Sequence, residues 1–274
     1  MNTRILIVTP TLGESVFLDQ TMASVEALPL DIAHVLSVPA AKVAALSARY
    51  PRAIVVADAG KAGGIYGAIN AGLLAAPTAW DWFTYINDDD TLLPGFAQAA
   101  LRHFAQAFPE PVFYGDVELI DEQGKRITRI TTARSPSWIP ALLQQGISPL
   151  MQQGMLFRRD VVERLAGFDL SYRLCADLDF WLRAYAGKNR FRYHPLCIAQ
   201  FRLREGQLSG DTRVTMAEQD YIVARHLPHR TSSLDQWLTR VNYRLFNLPR
   251  YLARIRRRGF RTSYALLQPD TSRP

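Results

Sequence analysis

The sequence predicts an α/β fold, a mixed but mostly parallel sheet flanked by helices, with a basic helical tail at its end. Three observations carry that expectation. Short apolar runs rich in β-branched residues alternate with segments of helical period, the pattern of parallel strands joined by crossover helices. A hairpin signature beyond Phe108 makes the sheet mixed. From about His226 to Ser233 the chain changes character and turns to arginine and leucine.

The elements follow in order. Arg4 to Thr9 reads as a buried first strand closed by Pro10, with Thr11 to Ser15 as its loop. Val16 to Leu28 has helical spacing of Phe17, Met22, Val25 and Leu28. Strands at Ala33 to Val38 and Ala53 to Ala57 bracket an alanine-rich helix from Ala40 to Tyr50. A helix over about Gly67 to Ala76 precedes the strand Trp82 to Ile86, which ends in Asn87-Asp88-Asp89-Asp90. After a helix from Pro94 to Phe108, the strands Val112 to Val117 and Arg126 to Ile130 flank the turn Asp121-Glu122-Gln123-Gly124. A short strand at Gln152 to Phe157, a helix at Arg159 to Leu165, the turn Gly167-Phe168-Asp169 and a helix over Asp177 to Tyr185 complete the domain.

Bulk properties exclude several classes. No run reaches the roughly 18 apolar residues of a membrane-spanning helix, and the start lacks a signal-peptide pattern, so a cytoplasmic location is expected. Cys175 and Cys197 are too few for a disulfide framework and read as buried small hydrophobes. The formal charge is +7, but Arg240, Arg244, Arg250, Arg254, Arg256, Arg257, Arg258 and Arg261 lie in one acid-free segment; without those eight the rest carries −1. The basicity belongs to the tail, and nucleic-acid binding is not expected.

Three consecutive aspartates directly after an apolar strand raise one another's pKa unless something positive lies among them. A hard cation, Mn2+ or Mg2+, suits oxygen ligands and leaves room for phosphate oxygens, so Asp88 and Asp90 are candidate ligands of a metal-diphosphate, Asp90 first. The plainer reading is a solvated loop with a helix cap. Asp177 and Asp179 open a helix two residues apart and cannot serve one site. One is a candidate general base, while the other caps the helix or pairs with Arg183; both also suit a helix N-terminus electrostatically. Gly60, Gly63, Gly64 and Gly67, with Asp58 and Tyr66, can let a nucleotide approach closely but match neither a dinucleotide fingerprint nor a P-loop.

Together these pieces resemble the inverting family 2 glycosyltransferases of GT-A (Rossmann-like) fold, in the branch that builds bacterial surface polysaccharides, over roughly residues 4 to 210. The carriers are Ile7-Val8-Thr9-Pro10-Thr11, Gly64 to Gly72, Ile86 to Gly95 and Tyr114 to Val117. Further carriers are Gln153 to Arg158, Gly167-Phe168-Asp169, Cys175 to Arg183 and Phe201-Arg202-Leu203. The resemblance implies a nucleoside diphosphate sugar donor, Asp88 and Asp90 as the Asp-x-Asp element at the metal, and Asp177 as catalytic base. It also implies Thr9, Pro10, Asp58, Asn70 and Asp89 near the nucleotide and Gln153, Gly154 and Trp181 on the acceptor side. A nucleotide half over about 1–95 and an acceptor half over about 96–225 would make up the catalytic domain, followed by the tail at 226–274.

Departures from the family pattern are informative. Ser37-Val38-Pro39-Ala40 stands where the family places an acidic turn against the base, leaving Asp58 as a substitute, and Gly67 stands where aspartate is common. The signature of processive synthases is absent. A metal-dependent phosphoryl-transfer or hydrolytic enzyme and a non-catalytic sugar-nucleotide binder remain as alternatives. In the tail, Trp237, Leu238, Val241, Leu245, Leu248, Leu252 and Ile255 recur at helical intervals among arginines, broken by Pro249. Such a segment packs on its domain or lies on an anionic membrane surface, where a lipid-linked acceptor would sit as readily as a soluble saccharide.

Overall fold

The structure, a computed structural model, describes residues 3–204 and 212–258. Arg4–Pro10 (β1) begins the sheet, followed by Leu18–Glu26 (α1), Asp31–Pro39 (β2), Val43–Arg49 (α2), Ile54–Asp58 (β3), Gly64–Leu74 (α3) and Trp82–Tyr85 (β4). Then come Thr91–Leu92 (β5), Pro94–Phe104 (α4), Val112–Ile120 (β6), Arg126–Ile130 (β7), Trp138–Leu143 (α5), Leu156–Arg158 (β8) and Arg159–Leu165 (α6). Ala176–Ala186 (α7), Phe191–Arg202 (β9), Thr212–His226 (α8), Ser233–Phe246 (α9) and Leu248–Arg258 (α10) complete the order.

The strands form one sheet in the order β3-β2-β1-β4-β8-β6-β9-β5, with β7 paired to β6. The long ladders, β1 with β2, β2 with β3, β1 with β4 and β6 with β9, are parallel; β8, β7 and β5 pair antiparallel. The expected mixed, mostly parallel sheet is therefore present. It is buried on both faces, which explains why β1 reads as a continuous apolar run rather than an alternating one. Ile5 and Ile7 join the cluster around Phe96 and Phe113, whereas Leu6 and Val8 join Tyr66, Ile69 and Phe180 on the other face.

Several boundaries differ from expectation. The helix expected at Gly67 begins at Gly64, and the strand expected from Gln152 begins at Leu156 because Met155 N–H closes a turn onto the Gln152 carbonyl. The sequence pattern did not reveal β5, α5, β9 or α8. Strand β9 escaped because it contains Pro195; the register with β6 jumps from Gly115↔His194 to Asp116↔Cys197, and this irregularity accommodates a residue without an N–H. Cys175 is buried and Cys197 half-buried, both free thiols. Among the described residues, no helix is long and apolar enough to cross a membrane.

The tail breaks before Pro249 as its sequence suggests, giving α9 and α10. It is docked on the rest of the chain: the Asn247 side chain bonds both backbone groups of Thr131, and the Tyr243 hydroxyl donates to the Ser148 carbonyl. The end of the tail, Arg261 included, lies outside the described residues.

Helix α4 lies so close to β9 that a Cβ on Gly95 would collide with the Cys197 carbonyl oxygen. That backbone cannot withdraw as a flexible side chain would. Gly95→Ala should therefore destabilise the fold by about 1–3 kcal/mol, the usual range for overpacking, measured as a lowered midpoint in urea.

Candidate functional site

The site lies at the carboxyl ends of β1, β2, β3 and β4, the place where open α/β sheets form their ligand crevice. Pairing holds the acidic run on both sides. Ile86 N–H bonds the Val8 carbonyl before it, and Thr91 pairs with Gln200 on β9 after it.

The three aspartates have distinct surroundings. Asp90 is fully buried, its Oδ1 accepting from the Arg202 backbone N–H at 2.9 Å and its Oδ2 from the Gln153 amide at 2.9 Å. Burial pushes its pKa well above the ordinary carboxylate range and the charge of Asp89 adds to this, while the two donors pull against it. Asp89 is also buried and pairs with Arg204 at 2.6 Å. Asp88 is half-buried and accepts from the Thr11 hydroxyl at 2.5 Å; burial raises its pKa, the Thr11 bond opposes that, and Asp89 contributes a further rise.

Arg202 binds this run to the rest of the site. Only 1% exposed, its guanidinium donates to the carbonyls of Asp89, Asp121 and Glu122 and to the Gln20 side chain, and lies 4.3 Å from the Phe17 ring centroid. Its role was not legible in the sequence, because β9 also carries Arg192, His194 and Gln200 and an arginine at its end does not stand out among them.

A hard cation fits these donors. Asn87 Oδ1 and Gln153 Oε1, oxygens beside the carboxylates, are buried with no hydrogen-bond partner. No group of three or more His, Cys, Asp or Glu forms a cage among the described residues. Magnesium or manganese on a diphosphate requires only one or two protein carboxylates.

Asp177 lies in the first turn of α7, as expected of a residue presented from a helix N-terminus. Its Oδ1 accepts from Leu178 N–H at 2.8 Å and lies 3.1 Å from the Tyr66 hydroxyl, which also donates to the Leu174 carbonyl. Burial pushes its pKa up to about 6, against the pull of those hydrogen bonds. Tyr85, at the end of β4, is buried, and that burial first, then the charges of Asp177 and of Asp90, hold its phenol well above the ordinary value. The loop leading into α7 is fixed by Glu218 of α8, whose carboxylate accepts from the backbone of Arg173, Leu174 and Cys175.

Asp179 takes the other course left open by the sequence. It is buried and bonds Arg183 at 2.6 Å and His226 at 2.8 Å, while Arg183 continues to the carbonyls of Leu165 and Gly167. It joins α7 to α8 and to the Gly167 turn.

The remaining candidates divide. Asp58 stands at the end of β3 beside the end of β2, accepting from the Ser37 hydroxyl at 2.9 Å and from Gly60 N–H at 2.6 Å. Gln153 touches Asp90; Gly154 has a positive φ of 78° and no room for a Cβ beside Ile198. Pro10 is buried at the end of β1, where its neighbour Thr11 reaches Asp88. Thr9, Asn70 and Trp181 have their side chains engaged within the fold. The Thr9 side chain is fully buried against His34, whose own burial lowers its pKa to about 4. Asn70 uses its amide on both backbone groups of Phe168. Trp181, one helical turn on from Asp177, packs into an apolar seam with Ile139, Leu143, Leu150 and Leu182.

No family model matches the sequence, and no curated protein matches it. Solved structures do. The chain is similar to residues 1–349 of TarS from S. aureus, with a TM-score of 0.58 and 12% identity, covering 89% of this chain and 72% of that one. The same TarS segment with UDP gives a TM-score of 0.59 at 13% identity. The chain spans 43% of a longer TarS structure. It is also similar to the mannosyltransferase PcManGT from Pyrobaculum calidifontis in complex with GDP-Man and Mn2+, with a TM-score of 0.58 and 12% identity, covering 97% and 78% of the two chains. Glucosyl-3-phosphoglycerate synthase from Mycobacterium tuberculosis gives a TM-score of 0.54 at 15% identity, covering 84% and 82%. The architecture is the GT-A glycosyltransferase fold.

Asp90 and Asp88 should separate in stability. Asp90→Ala strands the Arg202 N–H and the Gln153 amide and should cost about 2–4 kcal/mol. Asp88→Ala, at a half-buried position, should cost under about 1 kcal/mol in the same urea titration.

Proposed function

We propose that this chain is an inverting glycosyltransferase that moves a sugar from a nucleoside diphosphate sugar to an acceptor hydroxyl, in assembly of a cell-surface polysaccharide or glycolipid. One observation carries the reading: in a GT-A fold whose acidic run ends β4, Asp177 is a desolvated carboxylate held 3.1 Å from the hydroxyl of Tyr66, in the helix that follows β3. The neighbours found with UDP and with GDP-Man and Mn2+ support it.

A bound Mn2+ or Mg2+ would neutralise charge on the departing diphosphate. Spacing in the sequence favoured Asp90 as its direct ligand. In the folded chain the Asp90 carboxylate is taken up by Arg202 and Gln153 and that of Asp89 by Arg204, so we assign the ligand role to Asp88, the most exposed of the three, with Asn87 Oδ1 beside it. Asp90 then fixes the loop. Arg204, paired with Asp89 and partly exposed, places a cation at the rim facing incoming phosphate. Asp58 is the group for the base edge, replacing the acidic turn missing after β2.

Asp177 accepts the proton of the acceptor hydroxyl as its oxygen bonds to the anomeric carbon and the carbon–oxygen bond to the diphosphate breaks, the electron pair leaving with phosphate. A base with a pKa of about 6 is ionised at pH 7 yet still basic enough to take the proton. In-line attack from the face opposite the leaving group inverts the anomeric configuration. This differs from two-carboxylate hydrolysis, in which an acid protonates the leaving oxygen.

A thermal-shift panel of nucleoside diphosphates with and without manganese tests the donor side: stabilisation by at least one nucleotide, dependent on metal, is expected. No shift with any of them sinks the reading. Asp177→Asn should abolish turnover while leaving that shift intact, and wild-type turnover should rise with pH through about 6. The sign of the stability effect follows. The folded chain holds a proton that the unfolded chain has released from a pKa near 4, so stability falls as pH rises from about 4 to about 6. At pH 7 Asp177→Asn should therefore be more stable than wild type by on the order of 2 kcal/mol, and that gap should close towards pH 4.

A further inference from the structure

Helix α9 is oriented unlike an ordinary amphipathic helix. At 3.6 residues per turn Gln236, Thr239, Tyr243 and Asn247 share one face, and that face meets the domain. Tyr243 bonds Ser148, Asn247 bonds Thr131, and the Gln145 amide donates to the Gln236 carbonyl. On the opposite side Leu234, Trp237, Leu238, Val241 and Leu245 fall within an arc of roughly 100°. Val241 is half-buried; the others are exposed, Trp237 by 53% and Leu245 by 62%. The usual arrangement buries the apolar stripe and solvates the polar one. Here the polar face is docked and the apolar face points outward.

The apolar surface continues into α10 with exposed Leu248 and Leu252, and the sequence keeps the period at Ile255. Its charge is one-sided. Arg240 and Arg244 lie along one edge of the α9 stripe, Arg250 follows, and Arg254, Arg256, Arg257 and Arg258 come after it in sequence. The single acid from 234 to 258, Asp235, accepts from the Ser232 hydroxyl at the helix start. A nucleic acid would match the arginines and leave the leucines without partners. A second copy would match the leucines and bring two sets of arginines together. A bilayer with anionic headgroups matches both at once, with Trp237 and the leucines in the headgroup–acyl boundary and the arginines at the phosphates.

We propose that α9 and α10 form an in-plane docking surface for an anionic lipid bilayer, held to the domain by Tyr243 and Asn247. This does not depend on the transferase reading, because its test measures partitioning and not turnover.

The full chain should co-sediment with vesicles of phosphatidylglycerol and phosphatidylcholine, in a salt-sensitive manner, and bind at least tenfold less to phosphatidylcholine alone. Trp237→Glu with Leu245→Glu should abolish that binding while the melting midpoint stays at the wild-type value, since both side chains are exposed. The milder Leu245→Ala should weaken binding several-fold. Arg240→Gln with Arg244→Gln should weaken it on the order of tenfold on anionic vesicles only. Absence of binding to the mixed vesicles at about 0.1 M salt overturns the proposal, and so does binding that survives the glutamate pair. A dimer seen by light scattering, lost in the glutamate pair and unaccompanied by vesicle binding, would give the face to a second copy instead.

Discussion

A buried arginine at the end of β9 holds the acidic loop in place. Three adjacent carboxylates repel one another, and two of them are buried, where each charge is expensive. Arg202 meets this in two ways: its backbone N–H bonds Asp90, and its guanidinium spreads donors over the carbonyls of Asp89, Asp121 and Glu122. Planar geometry and a charge that persists under burial make arginine suited to that role. Through it, the acidic loop, the β6–β7 turn and α1 are joined by hydrogen bonds, with Asp88 left as the most exposed carboxylate of the run.

The other half of the site follows the same division. Residues two apart on a helix point in different directions, so Asp177 and Asp179 have separate tasks. Asp179 is consumed in a buried junction with Arg183 and His226, and this fixes α7 against α8. Glu218 holds the loop ahead of it. Asp177 thereby stays in a desolvated position with few partners, which makes it basic. The catalytic proposal thus rests on structural carboxylates that neutralise the neighbourhood without quenching the one left over.

The tail shows how a helix can satisfy its domain with the wrong face. Asn247 and Tyr243 supply hydrogen bonds to backbone groups of the domain, and Thr239 is buried beside them. That docking leaves no inward position for the leucines. The result is an exposed apolar strip edged with arginine, a surface that water alone does not explain.

The sequence by itself determined the alternating strands and helices, the hairpin, the break at Pro249 and the location of Asp88 to Asp90 at a strand end. Each is written in local periodicity or turn chemistry, which need no knowledge of distant neighbours. It also placed Asp177 at a helix start and offered Asp179 to Arg183, because i to i+4 contacts are local. Only the tertiary structure shows what engages each aspartate of the run. Asp90 is engaged by residues 63 and 112 positions away, and no local pattern records such partners. Thr9, Asn70 and Trp181 are likewise engaged by distant partners: Thr9 by His34, Asn70 by the backbone of Phe168, and Trp181 by the apolar seam around Ile139 and Leu150. Strand β9 stayed hidden because its proline lies in an irregular stretch of the pairing with β6, where His194 and Cys197 stand opposite the adjacent residues Gly115 and Asp116.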